Sequence, residues 1–237
     1  MRSRLVGREE VAQGTMAFRL ARPPGFGFQA GQNVLVTLIE PPEDDAQGPS
    51  RTFTIASAPH EPELLIATRM RDTAFKRVLG RAPIGTPVEI EGPSGFMTLH
   101  EDAARPAVLL AGGIGITPFL SMARHAAAAR LPHEIVLFYG NRRPEDSAFL
   151  AELTGLQKTN PRYRLIAAMS EADKSAQPWR GEKGFIDRAM LERHLRDLKA
   201  PVYYFAGPPA MAAAMQQMLA GAGVAEDAMR SEEFYGY

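Results

Sequence analysis

Cysteine is absent from the 237 residues of the sequence. The chain therefore cannot form a disulfide, bind zinc or an iron–sulfur cluster through thiolates, or use a cysteine nucleophile. Histidine is scarce as well, and no two of the five histidines have the spacing of metal ligands, so we expect no metal site.

An excess of charge of either sign is also missing. Lysine and arginine together number 27, as do aspartate and glutamate, so the net charge is zero. Proteins that bind nucleic acid are normally basic, and we expect no nucleic-acid partner. Hydrophobic residues make up 45% of the chain, which is typical of a globular protein and argues against disorder.

Long apolar runs are the third absence. No stretch approaches the ~20 apolar residues that a membrane-spanning helix needs. Met1–Glu10 carries five charged residues in place of the apolar run of a secretory signal. We therefore expect a cytoplasmic protein with no membrane partner.

The first hundred residues contain short apolar runs separated by glycine and proline. The predicted strands are Gln32–Ile39, Arg51–Ala56, Glu63–Arg69 and Thr86–Glu91. Short strands with frequent turn residues predict an antiparallel β-barrel or sandwich. One helix is predicted over Thr73–Leu79, where the apolar residues follow helical spacing.

The pattern changes near Glu101–Arg105. From there, the predicted strands are Ala107–Ala111, Glu134–Tyr139, Tyr163–Met169 and Val202–Ala206, and the predicted helices lie near 118–130, 145–154, 187–198 and 208–221. Alternation of strands and helices predicts a doubly wound parallel sheet of the α/β class. We therefore predict two domains, an antiparallel β-barrel over 1–102 and a parallel α/β domain over 103–237.

A glycine-rich loop follows the first strand of the second half and reads Gly112-Gly113-Ile114-Gly115-Ile116-Thr117-Pro118. Glycine lets a phosphate approach the backbone closely. Thr117 is predicted to cap the following helix, with Pro118 in its first position, and the helix N-terminus then attracts an anion. The loop departs from G-x-G-x-x-G at Pro118. The alternative is a plain strand-to-helix turn.

A second loop, Gly207-Pro208-Pro209-Ala210-Met211, also connects a predicted strand to a predicted helix. Ligands of open α/β sheets bind at the carboxyl ends of the strands. The two loops together predict a nucleotide site.

With these loops in place, two further motifs make the sequence similar to a known family. Arg51-Thr52-Phe53-Thr54 resembles an R-x-Y-[ST] flavin motif, and Gly92-Pro93-Ser94-Gly95-Phe96 resembles a G-P-x-G-x-F run. In this order the motifs resemble those of the ferredoxin–NADP⁺ reductase family of FAD-dependent oxidoreductases. The resemblance implies a barrel that binds FAD and an α/β domain that binds NAD(P).

The resemblance also implies roles in the flavin motif. Arg51 would pair with the FAD pyrophosphate, Phe53 would lie against the flavin, and Thr54 would hydrogen-bond near flavin N5, with Thr52 beside them. Phe53 stands where the family has tyrosine. From the residues alone, an ordinary strand with one exposed arginine is the alternative.

The next segment matches the family's second phosphate-binding segment in position. The resemblance implies FAD contacts for Ala67, Thr68, Arg69, Arg71 and Thr73, and Met70 replaces the family's glycine. Residues 69–81 hold five basic side chains and one acidic one. These charges fit neutralisation of FAD phosphate, docking of an acidic electron carrier, or a solvated charged face.

The resemblance implies that the pyridine nucleotide is bound by the two glycine loops and by residues after the strand Ile135–Tyr139. The implied contacts are Gly112, Gly113, Gly115, Thr117, Pro118, Asn141, Arg142, Arg143, Gly207, Pro208, Pro209 and Met211. Two arginines without an acid at the strand end favour the 2′-phosphate of NADPH over NADH. Relatives that use NADH have similar runs, and Arg142 also fits a plain surface residue.

The chain ends with an aromatic cluster, Phe234-Tyr235-Gly236-Tyr237. The resemblance implies that Tyr237 or Phe234 covers the flavin and moves aside for hydride transfer, with Glu233 a candidate partner of nicotinamide. The alternative is packing of Phe234 on an edge strand.

The function implied is transfer of hydride from NAD(P)H to flavin N5 and of single electrons to a separate carrier, such as ferredoxin, flavodoxin or an oxygenase component. The lack of cysteine places any cysteine-ligated cluster elsewhere. The alternatives are a reductase that releases free flavin, the reductase component of an oxygenase, and a nucleotide-binding regulatory subunit without turnover.

Overall fold

Alternating buried and exposed residues in the first half build an antiparallel sheet of six strands. The computed structural model describes residues 1–233. The strands are β1 (Arg2–Ala12), β2 (Thr15–Ala21), β3 (Asn33–Leu38), β4 (Ser50–Thr54), β5 (Glu63–Arg69) and β6 (Pro87–Ser94). Their order is β4-β3-β6-β1-β2-β5. The two edges meet where the Ala56 amide, just after β4, donates to the Leu65 carbonyl of β5 at 2.7 Å. The predicted antiparallel class is confirmed.

Strands β1 and β2 were not among the predicted strands. In β1 only Leu5 is buried, and the pairing with β2 shifts register twice, between Leu5 and Gly7 and between Glu10 and Ala12. Such shifts break the period of two on which strand prediction depends.

The predicted helix of the first half is helix α1 (Ala74–Arg81). The Thr73 hydroxyl accepts a hydrogen bond from the Lys76 amide at 3.4 Å and so caps the helix. Phe75 and Leu79 are buried in the core of the first sheet.

The apolar runs of the second half build a second sheet of six strands, in which the strands pair in parallel. They are β7 (Ala107–Gly112), β8 (Ile135–Asn141), β9 (Tyr163–Met169), β10 (Glu182–Lys183), β11 (Val202–Gly207) and β12 (Met229–Glu233). Their order is β10-β9-β8-β7-β11-β12.

Four α-helices cover both faces of this sheet: α2 (Thr117–Ala128), α3 (Leu150–Thr159), α4 (Arg188–His194) and α5 (Pro209–Gly221). Leu109 faces the core that α2 and α3 share, and its neighbour Leu110 faces the core that α4 and α5 share. The predicted doubly wound sheet is confirmed.

Two helix boundaries were wrong. The helix predicted at 145–154 begins at Leu150, because residues 144–146 form a separate short turn and Phe149 has a left-handed φ of 60°. A residue in that conformation interrupts a right-handed helix. The helix predicted at 187–198 ends at His194, since Leu195 is extended.

Helix α2 joins the two halves. The Ser121 hydroxyl donates to the Ser57 carbonyl oxygen at 2.6 Å, and both residues are fully buried. One turn later the Arg124 guanidinium binds the Glu152 carboxylate at 2.6 Å and approaches Glu61 at 3.4 Å. The connection between β6 and β7 contains the predicted domain boundary at 102/103, which stays a prediction. No helix within residues 1–233 combines the length and the apolar character needed to cross a membrane.

Replacing the buried hydroxyl of α2 tests this junction. In Ser121→Ala the Ser57 carbonyl loses its donor, and we expect the free energy of unfolding to fall by about 1–3 kcal/mol. Denaturant unfolding measures it. Thr154→Ala is the control, because its exposed hydroxyl donates to the Leu150 carbonyl within α3. An equal effect of both variants would contradict the assigned role of Ser121.

Candidate functional site

A cleft opens where the order of the parallel strands reverses. The chain moves outward from β7 to β10 and then returns to β11 on the other side of β7. Loops after adjacent strands diverge at such a point and leave a crevice at the carboxyl ends. The cleft has a volume of about 610 Å³. The predicted residues that line it are Arg69, Arg71, Gly112, Gly113, Asn141, Arg142, Pro208 and Met211.

The glycines let the two loops of the cleft approach each other closely. A Cβ atom on Gly115 would lie 2.2 Å from the Ala206 carbonyl oxygen and 2.7 Å from the Gly207 nitrogen. On Gly112 it would lie 2.3 Å from the Met211 sulfur. Gly115 therefore allows the two loops to pack against each other and does not line the cleft. Gly113 does line the cleft, and its φ of 53° is left-handed.

The predicted cap of helix α2 was wrong. A 3₁₀ turn over Gly113–Ile116 precedes the helix, and Thr117 is already helical. Its hydroxyl is buried and donates backwards to the Ile114 carbonyl at 3.2 Å. Pro118 occupies the second helical position and is buried as well. Neither residue lines the cleft, and neither does Pro209, which is exposed at the start of α5.

Asn141 ends strand β8 inside the cleft. Its side chain is 9% exposed, and neither its Nδ2 nor its Oδ1 atom has a hydrogen-bond partner among residues 1–233. Buried amides are nearly always paired, and an unpaired one indicates an absent partner. The unpaired amide, the glycine backbone and a nearby arginine together fit a phosphorylated nucleoside ligand.

The two predicted arginines after β8 differ. Arg143 turns away, since its guanidinium binds the Asp146 carboxylate at 3.0 Å and Gln13 at 3.2 Å. Arg142 is exposed and lines the cleft together with Ser170. The structure therefore brings only Arg142 to the predicted position. Phe185, which the sequence analysis did not single out, is 82% exposed and also lines the cleft.

A second site surrounds Arg51 on the first sheet, and we call it the arginine site. The Arg51 guanidinium donates to the Gly48 carbonyl at 2.6 Å and to the Asp45 carboxylate at 3.1 Å. The first amide of α1, that of Ala74, donates to the same carboxylate at 3.0 Å. Burial and the charges of Arg71 and Arg51 lower the pKa of Lys76 behind them to about 8.

Other residues of the predicted flavin motif are largely covered. Phe53 is 8% exposed and packs on the Phe75 ring with centroids 5.7 Å apart, which leaves little of its surface for a flavin. Thr54 is 4% exposed and lies opposite Asn33 in the sheet, and Thr52 is exposed.

The residues before α1 divide between the two sites. Ala67 and Thr68 are buried at the end of β5, and the Thr68 hydroxyl donates to the Arg69 carbonyl at 3.3 Å. Arg69 and Arg71 line the cleft of the second sheet, so both sheets contribute to it. Thr73 caps α1 beside the arginine site.

A polar network beside Thr54 was missed. The Asn33 side-chain nitrogen, Nδ2, donates to Glu232 Oε1 at 3.2 Å, and the Ser94 hydroxyl donates to Asn33 Oδ1 at 2.5 Å. Burial raises the pKa of the Glu232 carboxyl, against the weaker effect of the Asn33 hydrogen bond. The glutamate expected from the sequence is Glu233, and its side chain is not among those that the structure describes. Phe234 and Tyr237 lie outside the described residues.

Comparison with known proteins agrees with this arrangement. Residues 109–217 match the family model described as an oxidoreductase NAD-binding domain. The chain is 28% identical over 223 residues to the glycine betaine monooxygenase reductase subunit of Chromohalobacter salexigens, covering 93% of this chain and 60% of the relative. It is 29% identical over 197 residues to ferredoxin–NADP reductase B of Sorangium cellulosum, covering 82% of this chain and 76% of the relative.

A solved structure extends the comparison to the fold. The ferredoxin NADP⁺ reductase of Neisseria gonorrhoeae, solved with bound FAD and NADP, aligns with a TM-score of 0.82 at 19% identity, covering 98% of each chain. The chain spans about three fifths of the length of several curated relatives that it matches over nine tenths of its own length.

The buried carboxyl of Glu232 predicts a pH-dependent stability. Its pKa is higher in the folded protein than in the unfolded chain, so stability is lost as pH rises through the folded-state pKa. We expect Glu232→Gln to raise the melting temperature by about 2–4 °C at about pH 7.5. At about pH 4, where both states mostly carry the proton, we expect most of the difference from the natural chain to disappear.

Thermal unfolding followed by circular dichroism at the two pH values measures the difference. Glu226→Gln is the control, because that glutamate is exposed and its replacement should change the melting temperature equally at both. A Glu232→Gln variant that behaved like this control would contradict the assignment.

Proposed function

We propose that the chain is a member of the ferredoxin–NADP⁺ reductase family of FAD-dependent oxidoreductases and that it oxidises NADPH through bound FAD. Electrons then pass singly to a carrier outside these 237 residues. The observation that carries the proposal is the shared cleft, which Arg69 at the end of β5 and Arg71 just after it line together with the glycine loops of the second sheet. A donor in the cleft and an acceptor on the first sheet can therefore meet.

The proposed nucleotide contacts come from the carboxyl ends of β7, β8 and β11. Gly112 and Gly113 leave room for the pyrophosphate, and the unpaired Asn141 amide supplies a donor and an acceptor. Arg142 is the proposed partner of the 2′-phosphate, because it is exposed and lines the cleft. A guanidinium without a competing carboxylate nearby favours NADPH over NADH.

The proposed flavin contacts come from the arginine site and the strand beside it. Arg51 and the first amide of α1 would hold the pyrophosphate, with Thr73 fixing the start of the helix. Thr54 and Asn33 would border the reacting ring. FAD, when bound, accepts a hydride and gives up electrons one at a time. The raised pKa of Glu232 means that its carboxyl can hold a proton beside Asn33.

The electron acceptor is the second part of the proposal. Ferredoxin, flavodoxin and an oxygenase component all accept single electrons. The oxygenase component is favoured by the relatives, since reductases of glycine betaine, terephthalate and propane oxygenases are among them. The proposed location is the cytoplasm, where NADPH is generated. The proposed limits of the flavin and nucleotide domains are 1–102 and 103–237.

The test is an absorbance spectrum of the purified protein, followed by NADPH or NADH without air. We expect bands near ~375 and ~450 nm that NADPH bleaches faster than NADH. Addition of a ferredoxin or an oxygenase component should then restore the bands. A colourless protein that takes up no added FAD would contradict the proposal and favour a nucleotide-binding subunit without turnover.

Arginine variants test the nucleotide preference. We expect Arg142→Ala to raise the dissociation constant for NADPH about tenfold by removing a charge-assisted contact, and to leave that for NADH unchanged. Arg143→Ala is the matched control, because its guanidinium already binds Asp146. Equal weakening of both nucleotides in Arg142→Ala would rule out recognition of the 2′-phosphate at this residue.

A further inference from the structure

An acidic loop crosses the arginine site. Residues 40–49 connect β3 to β4 and include four acidic side chains, Glu40, Glu43, Asp44 and Asp45. We call this segment the acidic strap. The role proposed for the strap rests on the proposed function.

Asp45 binds the groups that would hold a phosphate. Its Oδ1 accepts from the Arg51 guanidinium at 3.1 Å, and its Oδ2 accepts from the Ala74 amide at 3.0 Å. An arginine fork and a helix N-terminal amide are the two donor types that phosphate sites commonly combine. The hydrogen bond from the Gln47 amide lowers the pKa of Asp45, so the carboxyl is ionised at neutral pH.

Glu43 binds the same basic surface one turn further along α1. Both of its carboxylate oxygens accept from the Arg77 guanidinium, and the shortest of these contacts is 2.7 Å, to Oε2. Glu43 and Asp45 are two residues apart in the strap, and each is held by a different arginine. The strap therefore places two linked anions on two cationic positions, Arg51 and Arg77.

We propose that the acidic strap is an internal stand-in for flavin phosphate: Asp45 occupies the arginine site and has to leave it when FAD binds. Two anions cannot share one arginine fork and one helix amide without strong repulsion. FAD then binds only to molecules in which the strap is open. The measured affinity for FAD is the affinity of the open form multiplied by the fraction of molecules that are open.

The surroundings allow this exchange. The Asp45 side chain is 30% exposed and can turn to solvent without crossing the core. Arg51 keeps an anchor outside the strap when Asp45 leaves, because its guanidinium also donates to the Ser50 carbonyl at 2.8 Å. The cation is therefore positioned independently of the carboxylate that covers it.

The test compares Asp45→Asn with Asp44→Asn. Both variants remove one negative charge from the strap, but Asp44 accepts only from the neighbouring Asp45 amide in this loop. Protein freed of flavin is titrated with FAD and, separately, with inorganic pyrophosphate in a calorimeter. We expect Asp45→Asn to bind both about tenfold more tightly than the natural chain, and Asp44→Asn to match the natural chain.

Hydrogen exchange gives a second readout that does not depend on affinity. In the natural chain, we expect the amides of residues 40–49 to exchange faster once FAD is bound. In Asp45→Asn they should exchange fast before FAD is added. Both observations would support an open strap in the flavin complex.

The outcomes separate this proposal from the proposed function. Weaker or unchanged binding of both ligands by Asp45→Asn would overturn the strap, and FAD bound equally by all three proteins would leave the flavoprotein function standing. Tighter pyrophosphate binding without any FAD binding would show that Asp45 competes with phosphate, but it would overturn the flavoprotein function and the assignment of that phosphate to flavin. Failure of all three proteins to bind either ligand would overturn both.

Discussion

The close approach of two backbone loops at Gly115 is the constraint on which the nucleotide cleft depends. Only hydrogen fits between this residue and the Ala206 carbonyl oxygen, so the turn after β7 lies directly against the end of β11. The contact fixes the direction in which α2 and α5 leave the sheet. It also keeps Gly112 and Pro208 at the floor of a single cleft. Glycine is therefore needed at position 115 for packing, while the ligand surface is supplied by its neighbours.

A structural feature could be predicted from the sequence when the residues that indicate it are neighbours in the chain. Strands β7 and β11 are buried along their whole length, so their apolar runs identify them. Strands β10 and β12 are short or polar at the edges of the sheet and carry no such pattern. Arg51 and Asn141 could be found because each lies in a short run of residues whose resemblance to the family implies its role. The Asn33–Glu232 contact joins residues 199 positions apart and has no local signal. The prediction that Thr117 caps α2 was wrong. A hydroxyl residue before proline is typical of a cap, but the 3₁₀ turn before Thr117 already leads into the helix.

The two regions proposed to bind anions differ in how their polar groups are satisfied. At the arginine site, carboxylates of the chain itself satisfy the guanidinium groups and the helix amide. In the cleft, the Asn141 amide has no partner among the described residues, and the glycine backbone borders open space. A ligand entering the cleft gains hydrogen bonds that were absent, whereas a ligand entering the arginine site replaces bonds that already exist. The free-energy gain per contact is smaller in the second case.

Helix α2 carries the glycine loop at its start and the contacts to the first sheet one and two turns later, through Ser121 and Arg124. A chimaera assembled from two relatives and joined between β6 and β7 would take Ser57 and Glu61 from one parent and their partners from the other. Such an exchange would preserve each sheet but alter the contacts by which α2 holds the two halves together. Whether two relatives can exchange halves therefore depends on the fit between α2 and the loop after β4. It depends less on the sequence of the connection between β6 and β7.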